Sequence, residues 1–162
     1  MNSSRRATAI RVLGWLARWY LGSLFLLACY HKILAPGTFA IDVATYQVLP
    51  LWLVNITAVV LPWVELGAGL LLILGWKVRA AALLVSLMLL SFMGALAFAL
   101  WLGLDMSCGC FASQGAEHDP ISGWTMVRDG AWLAGSLFIL FFDTDPIGLP
   151  SLLAGRRRGH EH

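Results

Sequence analysis

The stretch Ala80–Leu104, AAALLVSLMLLSFMGALAFALWLGL, runs without one charged residue. At about 1.5 Å per helical residue it is long enough to cross a hydrocarbon core of ~30 Å. Lipid cannot satisfy an open backbone, so a lone apolar run of this length reads as a membrane-spanning helix. Working outward, three more runs have the same character, giving spans at about 12–34, 51–74, 78–104 and 124–142. The whole chain agrees. Of its 162 residues, 59% are hydrophobic and 12% charged, and its mean hydropathy is +0.77. A soluble domain carries about 25% charged residues. Soluble enzyme folds, nucleic-acid binders and disordered linkers are excluded. The expected fold is all-α, a polytopic membrane four-helix bundle forming a single domain over 1–162 with a short basic tail.

Basic residues set the expected orientation. Arg5, Arg6, Arg11 and Arg18 lie before or early in the first span, Lys77 and Arg79 in the turn between spans two and three, and Arg156, Arg157 and Arg158 in the tail. Only Lys32 and Arg128 fall on the other side. The positive-inside rule places both termini in the cytoplasm of a bacterial inner membrane. The loops Pro36–Pro50 and Asp105–Gly123 then face outward. Trp19, Trp52, Trp76, Trp101 and Trp124 fall near span ends, where aromatic belts belong. Leu26-Leu27-Ala28-Cys29 resembles a bacterial lipobox, but Arg18 interrupts the hydrophobic region ahead of it, so an uncleaved span is expected.

Chemistry concentrates in the second outward loop, at Cys108-Gly109-Cys110. Two thiols one glycine apart suit a small strained disulfide that is easily reduced, a structural loop bridge, or a pair of soft metal ligands. Cys29 lies beneath the end of the first span, either as a third exchange partner or as a small packed hydrophobe. Glu65 sits near the middle of the second span beside Pro62. An intramembrane acid is expensive unless paired or hydrated, so it reads as a proton relay or a protonated bond to a neighbouring helix. Arg128, in the first turns of the fourth span, suits stabilisation of a thiolate or a reduced quinone, or simple snorkelling to the interface. Lys32, with His31, can supply the same electrostatic help to a thiol.

Taken together, Lys32-Ile33-Leu34-Ala35-Pro36 with Phe39, Tyr46 and Leu49-Pro50, then Leu61-Pro62-Trp63-Val64-Glu65-Leu66-Gly67, Cys108-Gly109-Cys110-Phe111 and Val127-Arg128-Asp129 resemble the MauE branch of the DoxX-like superfamily. The resemblance runs from about Leu16 to Leu140 and departs at Ala112, where the family usually has glycine. It implies a redox-associated membrane protein linked to disulfide formation in exported proteins, with a thioredoxin-fold periplasmic partner. It also implies that Cys108 and Cys110 are the redox pair, with roles for Lys32, Glu65 and Arg128.

Three functions compete. A thiol–disulfide oxidoreductase would exchange Cys108–Cys110 with an exported dithiol protein through a mixed disulfide. A thiol relay across the bilayer would need a second cysteine pair, so a membrane quinone is the more economical electron acceptor. This rests on analogy with other four-helix thiol oxidases. Trp101, Trp124 and Phe111 would line its ring and Arg128 would bond its oxygen. A soft-metal transporter would use Met106, Cys108, Cys110 and His118, but inside the bundle the sequence offers it only Glu65 and Cys29. A non-catalytic assembly subunit would hold a periplasmic enzyme at the membrane.

Overall fold

The computed structural model describes residues 2–103 and 123–143, with side chains from Thr8 onward. The expectations on Met106, Cys108, Cys110, Phe111, Ala112 and His118 lie outside the described residues. Among the described residues five helices follow in order: α1 (Asn2–Leu34), α2 (Pro36–Thr45), α3 (Leu51–Leu74), α4 (Val78–Trp101) and α5 (Gly123–Phe142). Four are long and apolar enough to cross a membrane: Thr8–Leu34 within α1, and the whole of α3, α4 and α5. The chain is an all-α multi-pass membrane protein.

Three features differ from the sequence expectation, and the first is that the opening span begins at Thr8, ahead of residue 12. The loop Pro36–Pro50 contains the ten-residue helix α2, whose Pro36 occupies the first turn, where its missing N–H costs nothing. The third span ends at Trp101, before Leu104, and Gly103 takes a left-handed φ of 65° just beyond it. The turn between α3 and α4 follows a simple logic. Gly75, at φ 68°, caps α3 through Leu71 and Leu72 carbonyls, a conformation that suits a residue without Cβ.

The spans close into a ring: α1 packs on α3, α3 on α4, α4 on α5 and α5 back on α1, while α2 lies against α3. A core of Leu21, Phe25, Leu72, Val85 and Ile139 fills the centre. The outside is equally apolar, as Trp15, Leu27, Val59 and Phe141 show by their exposure. In lipid this is the solvated face. Helices therefore associate through close approach and interhelical polar bonds rather than hydrophobic exclusion. Gly22 and Gly69 make the α1–α3 approach: a Cβ on Gly22 would come within 2.6 Å of Ile73 Cγ1 and 3.0 Å of the Gly69 carbonyl oxygen. Between α4 and α5 the hydroxyls of Ser86 and Ser136 meet at 2.8 Å.

Candidate functional site

Charged side chains enter the bundle at two levels. At the end of the bundle where α5 stops, Arg18 and Asp143 form a buried ion pair, Nε to Oδ2, at 3.1 Å. The sequence placed Arg18 in the opening turns of the first span, on the basic side; the structure turns it inward. At the opposite end, the Lys32 ammonium donates to Glu65 Oε1 at 2.6 Å. Helix geometry explains the second pair. Counting from the Gly22–Gly69 crossing at about 1.5 Å per residue, Lys32 lies about 15 Å along α1 and Glu65 about 6 Å along α3. Side chains lean toward the N-terminus of their own helix. Since α1 and α3 are antiparallel, the two lean toward each other and close that gap. Lys32 also lies over the Phe39 ring of α2, 4.8 Å from its centroid.

Arg128 and Asp129 bring a third charge pair from α5, with Nε 3.2 Å from Oδ1 and Asp129 almost fully buried. The Arg128 guanidinium stacks over Trp132 at 4.7 Å. Trp132 in turn donates to the Tyr20 hydroxyl on α1 at 3.2 Å. The bundle interior is thus more polar than the sequence suggested, where only Glu65 and Cys29 stood out.

Of these groups, Lys32, Phe39, Glu65, Asp129 and Trp132 line a cavity of about 440 Å³. Its walls come from one face of each helix. Leu24, Ala28 and Lys32 on α1, and Thr57, Leu61 and Glu65 on α3, each follow an i, i+4, i+8 stripe. Phe39 and Val43 come from α2, with Tyr46 just after it, Phe92 and Ala95 from α4, and Asp129 and Trp132 from α5. Tyr46 and Phe92 meet edge to face at 6.1 Å. Asp42, on α2, lies outside the spans, and burial pushes its carboxyl above its ordinary range while Lys32 pulls it down. Two buried carboxylate oxygens, Glu65 Oε2 and Asp129 Oδ2, have no hydrogen-bond partner among the described residues.

Of the residues singled out from the sequence, the structure joins Lys32 to Glu65 at this cavity and seats Arg128 beside it through Asp129. Trp101 and Trp124 stand away from it, 80% and 74% exposed at the ends of α4 and α5. Cys29 is buried and its thiol donates to the Leu26 carbonyl at 3.2 Å, as a packed small side chain does. Asp129, Phe39, Tyr46 and Trp132 had not been singled out as site residues. Phe39, Tyr46 and Asp129 stand among the residues that carry the family resemblance, and Trp132 lies one helical turn beyond Arg128. Among the described residues no group of three or more His, Cys, Asp or Glu is placed to hold a metal ion.

Fold and site define a class: a helical multi-pass membrane protein with paired charges around a cavity at one end of a four-helix bundle. The chain belongs to the MauE family, as residues 10–142 match the family described as methylamine utilisation protein MauE. No curated protein and no solved structure matches it.

Proposed function

We propose that this chain is a membrane thiol–disulfide oxidoreductase serving the redox maturation of exported proteins, with both termini in the cytoplasm of a bacterial inner membrane. One observation carries the reading: the charged cavity adjoins the end of the bundle to which the Cys108-Gly109-Cys110 segment is tethered. Ala95 and Asp129, in its wall, each lie six residues, about 9 Å, from the helix ends at Trp101 and Gly123 that bracket this segment. Oxidising a dithiol releases two electrons and two protons, and a bundle end rich in paired carboxylates and cations can receive protons.

The exchange balances as follows. A thiolate of the exported partner, a thioredoxin-fold protein or another dithiol protein, attacks one sulfur of the Cys108–Cys110 disulfide and forms a mixed disulfide. The partner's second thiolate resolves it, leaving the partner oxidised and Cys108 and Cys110 reduced. A membrane quinone supplies the two-electron, two-proton sink that regenerates the disulfide. Arg128 and Lys32 favour the thiolate of whichever cysteine leaves, and Trp101 and Trp124 flank the segment at the lipid interface.

Single-cysteine variants test this. Cys110→Ser or Cys108→Ser should accumulate a covalent adduct with an exported protein, visible on non-reducing gels and dissolved by thiols. If neither variant traps a partner and the double variant leaves exported proteins fully oxidised, the chain is an assembly subunit rather than an oxidoreductase.

A further inference from the structure

We propose that the cavity between Lys32, Glu65 and Asp129 is the docking site for the head group of the quinone, with Lys32 donating to a ring oxygen and the unpartnered oxygens of Glu65 and Asp129 accepting from ring hydroxyls of the reduced form. This inference rests on the acceptor class proposed above and adds the residues that hold it.

The unpaired carboxylate oxygens point to a ligand. Glu65 and Asp129 are only 6% and 1% exposed, yet Glu65 Oε2 and Asp129 Oδ2 meet no donor among the described residues. A buried acceptor left unmade costs about 1–3 kcal/mol, so native structures seldom keep one without a partner. Charge then narrows the class. Three carboxylates face the cavity with one ammonium, which repels an anion. Glu65 and Asp129 already hold Lys32 and Arg128, and no cluster suited to a metal exists among the described residues. A neutral molecule that donates and accepts hydrogen bonds at a polar end, and is otherwise apolar, fits what is left.

Shape and position narrow it further. About 440 Å³ falls within the usual 300–1,000 Å³ of small-molecule sites. The rings of Phe39, Tyr46, Phe92 and Trp132 in the wall suit a flat aromatic head. Glu65, with one oxygen fixed by Lys32 and the other unpartnered, is placed to take a proton at Oε2.

The test uses the full chain in lipid nanodiscs and decylubiquinone, oxidised and reduced, as probe. Saturable binding is expected, with a photoreactive azido analogue labelling peptides that line the cavity. Glu65→Gln and Asp129→Asn should each weaken the reduced probe about tenfold, by loss of a charged acceptor, and the oxidised probe less. That redox-selective loss is not what a packing defect produces. Ala95→Phe, which fills the cavity, should abolish labelling while its Cys108–Cys110 disulfide still oxidises one equivalent of partner dithiol. Labelling confined to lipid-facing residues, or equal affinity in all variants, overturns the site. The Cys108→Ser, Cys110→Ser double variant should bind the probe normally. Normal binding there, with no partner trapped by single-cysteine variants, sinks the oxidoreductase reading and leaves the site standing.

Discussion

The Lys32 ammonium lies 2.6 Å from Glu65 Oε1, joining α1 to α3 across 33 positions of sequence, with the Phe39 ring of α2 stacked on the same ammonium. One cation thus ties three helices together at the end of the bundle where the cavity lies. In lipid, where apolar packing does little to choose one helix register over another, such a pair can fix how far α1 slides along α3.

Breaking that pair should therefore cost stability asymmetrically. Glu65→Ala, which strands a buried ammonium, should lower unfolding free energy in detergent by about 3–5 kcal/mol. Lys32→Met combined with Glu65→Leu should recover most of the loss, because two apolar side chains need no counterion. Restored stability without restored thiol oxidation would separate the chemical role of the pair from its structural one. A Glu65→Ala protein that melts like the wild type would show that the pair does not hold the helices in register.

The glycines of α3 give a second, internally controlled expectation. A Cβ at Gly69 meets the Gly22 carbonyl oxygen at 3.0 Å, whereas at Gly67 it meets nothing within 4 Å. Gly69→Val or Gly22→Val should push α1 from α3 and destabilise the protein by about 1–3 kcal/mol. Gly67→Ala should be neutral or slightly stabilising, since alanine is the better helix former. Thermal unfolding of the variants in one detergent checks the order.

How much of this was legible beforehand depends on the range of the interaction. The four spans could be read because each is a local run of apolar residues. Lys32, Glu65 and Arg128 could be flagged one by one, because a charge among apolar residues stands out. The pairing of Lys32 with Glu65 could not, since the two sit on different helices and the register comes from Gly22 meeting Gly69. Helix α2 was read as a loop because Pro36, Gly37 and Pro50 punctuate it. The counter-signal was Phe39, Val43 and Tyr46 at i, i+4 and i+7, a helical face in a segment too short to weigh heavily. Arg18 was counted with Arg5, Arg6 and Arg11 on the basic side of the first span. Nothing near it in sequence announces Asp143. Trp101 and Trp124 were given two readings, belt and ring wall, and at the outer ends of their helices they face outward.

Arg18 and Asp143 lead to a third prediction. Their side chains are 3% and 5% exposed, and they fasten the middle of α1 to the residue just after α5. Asp143→Asn should weaken the bundle by about 3 kcal/mol, by leaving a buried guanidinium without its counterion. A double-mutant cycle with Arg18→Leu should show strong coupling, with the double variant more stable than the sum of the two single losses. Additive losses would mean that each residue acts through other neighbours.

The thiol pair carries the last prediction. A spacer of one residue between Cys108 and Cys110 forces a very small ring, and departure from relaxed disulfide geometry makes a bond easier to reduce. The oxidoreductase reading therefore needs a relatively oxidising couple. Equilibration of the purified protein in glutathione buffers, with thiol alkylation as readout, should place its potential well above the −300 mV that marks structural disulfides. The reduced thiols should react with a membrane-impermeant maleimide only from the face opposite the termini. A potential below about −300 mV would identify a loop staple. Labelling only from the side of the termini would invert the topology and remove exported dithiols from the list of partners.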